Sequence, residues 1–450
     1  MLFCQRPRFN SSTRARNPRI ERRTVRDAVR ILHTSDWHLG LSTGCVSRLP
    51  EQQRFLAWLA ALLAEQAVDA LVVAGDVFDS MQPSAEAQEA YYRFLAGLAA
   101  TGVRDVVVVG GNHDSPSRLD APREVLAALG VHVVGGLAAP EEPLDMAVVP
   151  LRRRGSETVE AVCLAVPYVH EYRLGVRTTD LDRGAVAEAF RVRFTELYSR
   201  LVDRAQALYS GLPVIATGHM VLGEVRREDY TAEIHQVGFI KGLPASVLDP
   251  RLAYTALGHI HRAYPVEEGH AWYSGSPLPV SVADCTVARN VLLVELPEAG
   301  PPAIAPIRVP VFRELRVIEG SPVDLVRDLK ALTSSAPLPP LVHVRACLDG
   351  PEPRLRETIT AALDAHAEPK RPVLIGVQEV FVGATEDVDP VPQAGLDEMT
   401  EAEVFARLCQ ATRTTDAEEL QRAFATLLSW PEEELERAIE QARTGVEGTA

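Results

Sequence analysis

DVVVVGGNHD, residues 105–114, joins two kinds of sequence within ten positions. Val106 to Val109 form a β-branched apolar run, the pattern of a strand buried on both faces. The run stops at Gly110 and Gly111, and Asn112, His113 and Asp114 follow directly. All three side chains can hold a metal ion or move a proton. Open α/β sheets place their sites beyond strand ends, where loops converge. If that is the meaning of this stretch, the pattern should recur.

It recurs along most of the first 300 residues. VRILHTSD ends at Asp36, with His38 two residues on, and ALVVAGD ends at Asp76. PVIATGH ends at His219, and TALGHIHRAYP (255–265) carries His259 and His261. Residues two apart in a strand share a face, so this last pair is expected side by side at a strand end. Further strands are expected at VHVVGG, AVVPL and VCLAVP. Helical periodicity covers about 51–67, 83–101 (opened by Pro83) and 182–209, where Phe190, Phe194, Leu197 and Leu201 recur at helical spacing. Strands alternating with helices imply an α/β fold.

Asp, Asn and His together form a mixed oxygen and nitrogen donor set suited to Mn²⁺, Fe²⁺ or Zn²⁺. Taken singly, GD or DxH is commonly a turn, GNHD can be a turn with Asn at positive φ, and GHxH can be a hairpin edge. Their conjunction, each at a strand end, points to one site. Six or seven such groups exceed what one tetrahedral zinc takes. They suffice for two divalent ions about 3.5–4 Å apart, the arrangement that clamps both oxygens in phosphoryl chemistry. Two such ions outweigh the charges of Asp36 and Asp76, so the site would be net positive and would attract phosphate. The other seven histidines (33, 132, 170, 235, 270, 343 and 366) read as core or surface residues, His33 as a buried neighbour of the site.

Length, charge and cysteine usage set the frame. The chain has 450 residues, 46% hydrophobic and 24% charged, which suggests about three globular domains. Its longest apolar run, Phe55 to Ala64, falls well short of the ~18 residues that span a membrane. The six cysteines (4, 45, 163, 285, 347 and 409) form no CxxC pair, as expected in a reducing, cytoplasmic setting. The net charge of −15 argues against a nucleic-acid partner unless the site itself is positive. Residues 1–28 are rich in arginine and serine and are expected to be a disordered basic extension.

Beyond VLLVEL (291–296), the Pro-rich PEAGPPAIAPIRVP marks a boundary. The expected organisation is a main domain over 29–310, an α+β cap over 311–383, a polar linker over 384–396 and a helical segment over 397–445. In that last segment Thr400 and Glu403 are spaced as a capping box, and Leu420, Phe424 and Leu427 share a face. Helices this short need a partner or the cap to pack on.

ILHTSDWHLG, VDALVVAGDVFD, GGNHDS, IATGHM, ALGHIHRAY and YSGSPLPVS, in that order, resemble the calcineurin-like metallophosphoesterases. Among these they are most similar to the SbcD nuclease subunits of bacterial SbcCD complexes. The likeness covers about 29–310, weakens in the cap and resumes at LDEMTEAEVFARL. It implies a β-sandwich flanked by helices, with the small cap and C-terminal helices appended. It also implies that Asp36, His38 and His261 hold one ion, that Asn112, His219 and His259 hold the other, and that Asp76 bridges them. His113 would contact the scissile phosphate and protonate the leaving oxygen, with Asp114 holding His113 or its loop. Hydroxide would attack the phosphodiester in line, with Mn²⁺ the preferred ion and Mg²⁺, Fe²⁺ or Zn²⁺ as alternatives.

The implied activity is double-strand exonuclease and single-strand or hairpin endonuclease action on DNA, in repair, recombination and replication. The implied partner is an SbcC-like coiled-coil ATPase, in a heterotetramer built on a nuclease homodimer, cytoplasmic and nucleoid-associated. No G-x-x-x-x-G-K-[ST] occurs in the chain, so the ATPase must be a separate protein. The C-terminal helices are candidates to grip it. Arg118 and the run Arg152–Arg154 are candidate phosphate contacts. Two rival readings remain: a phosphatase or cyclic-nucleotide phosphodiesterase on the same core, and an inert scaffold for the ATPase. A scaffold would have lost a ligand or His113, and none is lost.

Overall fold

The computed structural model describes residues 28–137, 144–169, 171–174, 183–223, 242–266 and 270–381, with 405, 409 and 420–424. The expectations for residues 1–27, for the 384–396 linker and for most of the C-terminal helices lie outside the described residues.

The chain opens with β1 (Ala28–Thr34), a short hairpin β2–β3 (Ser42–Thr43 and Val46–Ser47), α1 (Leu49–Glu65) and β4 (Ala70–Ala74). Next come α2 (Ala85–Gly97), β5 (Asp105–Val109), α3 (Pro116–Asp120), α4 (Arg123–Ala127) and β6 (Val131–Val134). The second half of the sandwich holds β7 (Val148–Arg152), β8 (Val159–Leu164), α5 (Arg183–Leu208), β9 (Val214–His219), β10 (Tyr254–Gly258), β11 (Tyr264–Val266) and β12 (Ala271–Tyr273). The strands β13 (Asn290–Pro297) and β14 (Ala303–Arg308) then return to the first sheet. The two six-stranded sheets have the orders β14-β13-β1-β4-β5-β6 and β11-β12-β10-β9-β8-β7.

Period-two alternation builds four layers from these strands. Ile31, Val72, Val107 and Val109 face the other sheet, where they meet Leu151, Cys163, Ile215 and Ala256. The residues between them, among them Leu32, Leu71, Val73 and Val108, face α1 and α2. On the far side α5 covers the second sheet with Phe190, Phe194, Tyr198 and Leu201. The strands buried on both faces are the continuous apolar runs of the sequence, as parallel strands covered on both sides require.

Residues 315–381 form a three-stranded sheet, β15 (Leu315–Gly320), β16 (Leu341–Leu348) and β17 (Val373–Phe381), with α6 (Pro322–Lys330) and α7 (Leu355–Asp364) between them. This is the strand–helix–strand–helix–strand order expected for the cap. The chain divides into two compact units, 1–346 with 353–378, and 347–352 with 379–450. In the second unit Phe405 and Phe424 stack, with ring centroids 4.1 Å apart.

Candidate metal centre

In the first sheet the parallel strands β1, β4 and β5 run side by side, so their C-terminal ends fall together. In the second, β9 and β10 pair in parallel, with Gly258 opposite His219. Asp36, Asp76 and Asn112 follow the first three strands, His219 ends β9, and His259 directly follows β10. The sheets approach closely here. A Cβ on Gly258 would lie 1.9 Å from the Ala74 carbonyl oxygen. At Gly75, with φ +90°, a Cβ would fall 2.1 Å from His219 Nδ1. Only glycine fits at either position, and that fit lets the ligand-bearing loops meet.

Those loops are strained. Among the described residues five non-glycine residues have positive φ, and four are candidate ligands: Asp36 (53°), His38 (45°), Asp76 (49°) and His259 (93°). Such geometry costs on the order of 1–3 kcal/mol per residue and persists where surrounding bonds over-determine it. They do so here. The Asp36, His38 and Leu39 amides donate to the carbonyls of Gly75, Asp76 and Val77 at 2.9, 3.1 and 2.9 Å, zipping the two loops together. The His259 amide donates to Asp36 Oδ1 at 2.9 Å.

The side chains converge on one buried region. His38 Nε2 lies 3.2 Å from His261 Nε2 and 3.7 Å from Asp76 Oδ2. Asn112 Oδ1 lies 3.0 Å from His219 Nε2 and 2.9 Å from His259 Nδ1. Asp76 Oδ2 is 3.4 Å from His219 Nε2. Three sets have donor atoms within 4.8 Å of one another: Asp36, His38 and His261; Asp36, Asp76 and His219; and His38, Asp76 and His113. Asp76 sits between the two halves. Asp36 reaches both, and His113 stands as near to the His38 half as a ligand does.

The donor chemistry fits a cation. His219 Nδ1 lies 2.8 Å from the Ala74 carbonyl, which can only accept, so Nδ1 carries a proton. Its Nε2 then faces two acceptors, Asn112 Oδ1 and Asp76 Oδ2, and something positive must stand between them. A backbone carbonyl behind the ring is the usual support of a metal-ligating histidine. Proton affinities carry the same message. Burial lowers His38 and His219, yet Asp79, Asp76 and Asp36 for the first, and Asp76, Asp36 and the Ala74 carbonyl for the second, hold each at about 9. Burial raises Asp76, but His219, His38 and His113 hold it well below the usual carboxylate range. Burial lifts Asp36 to about 6 against the pull of His219. The carboxylates draw positive charge into the cluster, and a divalent ion supplies it more compactly than protons do.

The supporting residues are less legible in the sequence. Asp114 holds the loop, one of the two roles open to it: its carboxylate accepts the amides of Val77, Phe78 and Gly111 at 3.0, 2.9 and 2.9 Å, so it fixes both turns. Asp79, which the motifs do not single out, supports two rings. Its carbonyl accepts from His113 Nδ1 at 2.9 Å, and its carboxylate lies 3.3 Å from His38 Nδ1. Ser35 bonds the Asp36 carboxylate, and Ser276 donates to the Asp36 carbonyl at 2.8 Å. Arg289 donates to the His261 carbonyl at 2.7 Å. Asp79 stands three residues after Asp76, and Ser276 lies in YSGSP, but nothing local marks their targets.

One expectation is corrected. His259 and His261 do not lie on a strand: β10 ends at Gly258, and the left-handed turn at His259 aims the two rings apart. His259 meets Asn112, His261 meets His38, and Ile260 between them is buried in the core under α5. The run Arg152–Arg154 sits at the opposite end of the sheets, where β7 closes against the start of β8. Arg152 pairs with buried Asp105, which burial raises but His132 and Arg152 hold low, and Arg153 pairs with Glu160. Arg118 lines an apolar groove with Tyr92, Pro122 and Val125. None of the histidines outside the motifs joins the centre among the described residues; His170 and His235 lie outside them.

The comparisons with known proteins agree with this geometry. Residues 29–263 match the calcineurin-like phosphoesterase family. The chain is 36% identical to the SbcD component of the SbcCD nuclease of Rhodobacter capsulatus, over 75% of this chain and 85% of that one. It is 33% identical to its counterpart in Escherichia coli K12, over 70% and 76%, and 33% identical to that of Bacillus subtilis 168, over 59% and 66%. With seven metal-capable side chains gathered at five strand ends and these likenesses spanning sandwich and centre alike, the chain belongs to the SbcD family of calcineurin-like phosphoesterases.

Proposed function

We propose that this chain is a metal-dependent DNA nuclease that works with an SbcC-type ATPase. The observation that carries the reading is the convergence of Asp36, His38, Asp76, Asn112, His219, His259 and His261 on one buried centre. Two divalent ions, Mn²⁺ by preference, supply Lewis-acid activation of a phosphodiester and a water there. Asp36, His38 and His261 would hold one ion and Asn112, His219 and His259 the other, with Asp76 as the residue they would share. His113, with Nδ1 turned to the Asp79 carbonyl, presents Nε2 as the donor of a proton to the leaving oxygen. Asp114 shapes the loops that carry Asp76 and His113.

The products expected are those of duplex-end degradation and of hairpin and single-strand cleavage. Residues 29–310 would form the nuclease domain and 311–383 the cap. After a linker over 384–396, residues 397–445 would grip the ATPase. A nuclease homodimer within a heterotetramer is part of the proposal, on the likeness to SbcD subunits. No described helix is long and apolar enough to cross a membrane, and a cytoplasmic, nucleoid-associated site of action is part of the proposal.

The test is cleavage of a labelled hairpin and a linear duplex with Mn²⁺, with and without the ATPase, beside Asp76→Ala and His113→Ala. Cleavage by the wild type and by neither variant supports the reading. Equal cleavage by wild type and His113→Ala would sink the assignment of His113. Hydrolysis of a small phosphodiester with no action on DNA would favour the phosphodiesterase alternative.

A further inference from the structure

His38 sits at φ 45° in a loop between β1 and the β2–β3 hairpin, so its backbone needs outside support. Part of that support comes from the first turn of α1. Gln52 is buried, 2% exposed, and its side-chain amide turns back onto the loop. Its Nε2 donates to the His38 carbonyl at 2.5 Å, and its Oε1 accepts the Gly40 amide at 3.0 Å. The two bonds bracket Leu39 and use the donor and acceptor ends of one rigid amide in opposite senses. An ionised carboxylate, which has no donor, or an apolar side chain could not make both.

The turn that carries Gln52 is itself pinned. Arg48, its N-cap, ion-pairs with Glu51, and Glu51 also ion-pairs with Arg313 at 2.8 Å, with Arg48 and Glu51 nearly inaccessible. The Arg48 amide donates to the Leu41 carbonyl at 2.9 Å, closing the far side of the same loop. On the other side of the centre, His219 is held by Ala74 and His259 by Asp36. The His219 support comes from β4, and the His259 support from Asp36, in the same loop after β1 but two residues before the stretch that Gln52 brackets.

We propose that Gln52 is a positioning residue for His38: it fixes the strained loop so that the imidazole is pre-aimed at one of the two ions, and leaves the other ion untouched. The inference rests on the two-ion reading above. Residues behind metal ligands typically change affinity by about 10–100-fold when removed, so a site-selective loss of that size is expected.

The experiment is titration of the full-length protein with Mn²⁺, following free ion by electron paramagnetic resonance, for wild type, Gln52→Leu and Gln52→Glu. Leu keeps the volume and removes both bonds. Glu keeps the Gly40 bond and sets an oxygen against the His38 carbonyl. The expected result is two ions bound by wild type, with roughly 10–100-fold weaker binding of one ion in both variants and unchanged binding of the second. The retained ion reports that the variant is folded. Wild type binding fewer than two ions would overturn the two-ion reading and the clamp with it. Two ions in wild type, with both bound normally in either folded variant or both weakened alike, would overturn the clamp alone.

Discussion

His33 and His38 stand five residues apart at one end of the same strand, both buried, and their surroundings treat them in opposite ways. His33 lies within β1, between the sheets, with Nδ1 2.8 Å from the Tyr254 hydroxyl. Burial pushes it down to about 3, so it is a neutral imidazole in an apolar interior. His38 lies past the strand end, where Asp79, Asp76 and Asp36 overcome burial and hold it at about 9. The layer between the sheets excludes charge here, and the strand ends around the centre collect it. The backbone follows the same division, since β1, β4 and β5 pair regularly while the residues just beyond them take up positive φ. Four of the five described non-glycine residues with positive φ are candidate ligands, and the sandwich behind them keeps their strain in place.

The contrast is broken most severely at Asp76, where both halves of the centre meet. Asp76→Ala is expected to reduce Mn²⁺-dependent hairpin cleavage to background, a loss of at least roughly 10⁴-fold. Tryptophan fluorescence should still report a folded chain, since the layers behind the centre are untouched. In the proposed roles His113→Ala removes a proton donor rather than a central ligand, and a loss of about 10²–10⁴-fold is expected in cleavage. Mn²⁺ stoichiometry, read by resonance titration, should stay at the wild-type value. If the ion count drops as well, His113 belongs with the ligands, where its distance to His38 and Asp76 also permits it.

The strand body gives a prediction in stability. His33 has a folded pKa of about 3 against an ordinary 6.5. Below pH 6.5 the unfolded chain takes up a proton that the folded chain refuses, so the His33 contribution is present above that pH and lost as pH falls toward 3. The loss is about 1.4 kcal/mol per pH unit within the window. Denaturant unfolding at pH 7, 6 and 5 should show a shallower pH slope in His33→Asn than in wild type, by close to one proton. Equal slopes would mean that His33 is hydrated.

Much of this is readable in the sequence alone. The apolar runs mark the strands because strands buried on both faces cannot hide their composition. The candidate ligands are readable because they stand at or just past the ends of such runs, often behind a glycine. What stays hidden depends on which loops meet. Gln52 and Asp79 look like ordinary polar residues of a helix start and a turn until the His38 loop is folded against them. The GHIH spacing suggests a shared strand face, but the turn at His259 is imposed by contact with Asp36, over 200 residues away in sequence.

The opposite ends of the strands supply the smallest effect. Asp105 opens β5 and Asn112 follows it, so the two are separated by roughly 20 Å of extended chain. Arg152, Arg153 and Arg154 gather at the Asp105 end. As sequence they form the densest basic run in the sandwich, and a phosphate backbone is an obvious use for them. Their partners argue otherwise: Arg152 is tied to Asp105, Arg153 to Glu160, and the Arg154 amide to Asp69. A side chain contacting phosphate releases counterions, and its loss flattens the dependence of log affinity on log salt by about 0.9. Arg153→Ala should leave that slope for duplex DNA unchanged and shift stability by no more than about 0.5–1 kcal/mol, the worth of a partly exposed ion pair. A slope reduced by about one contact would place DNA at the strand starts as well as the strand ends. The division of labour between the two ends of the sandwich would then have to be abandoned.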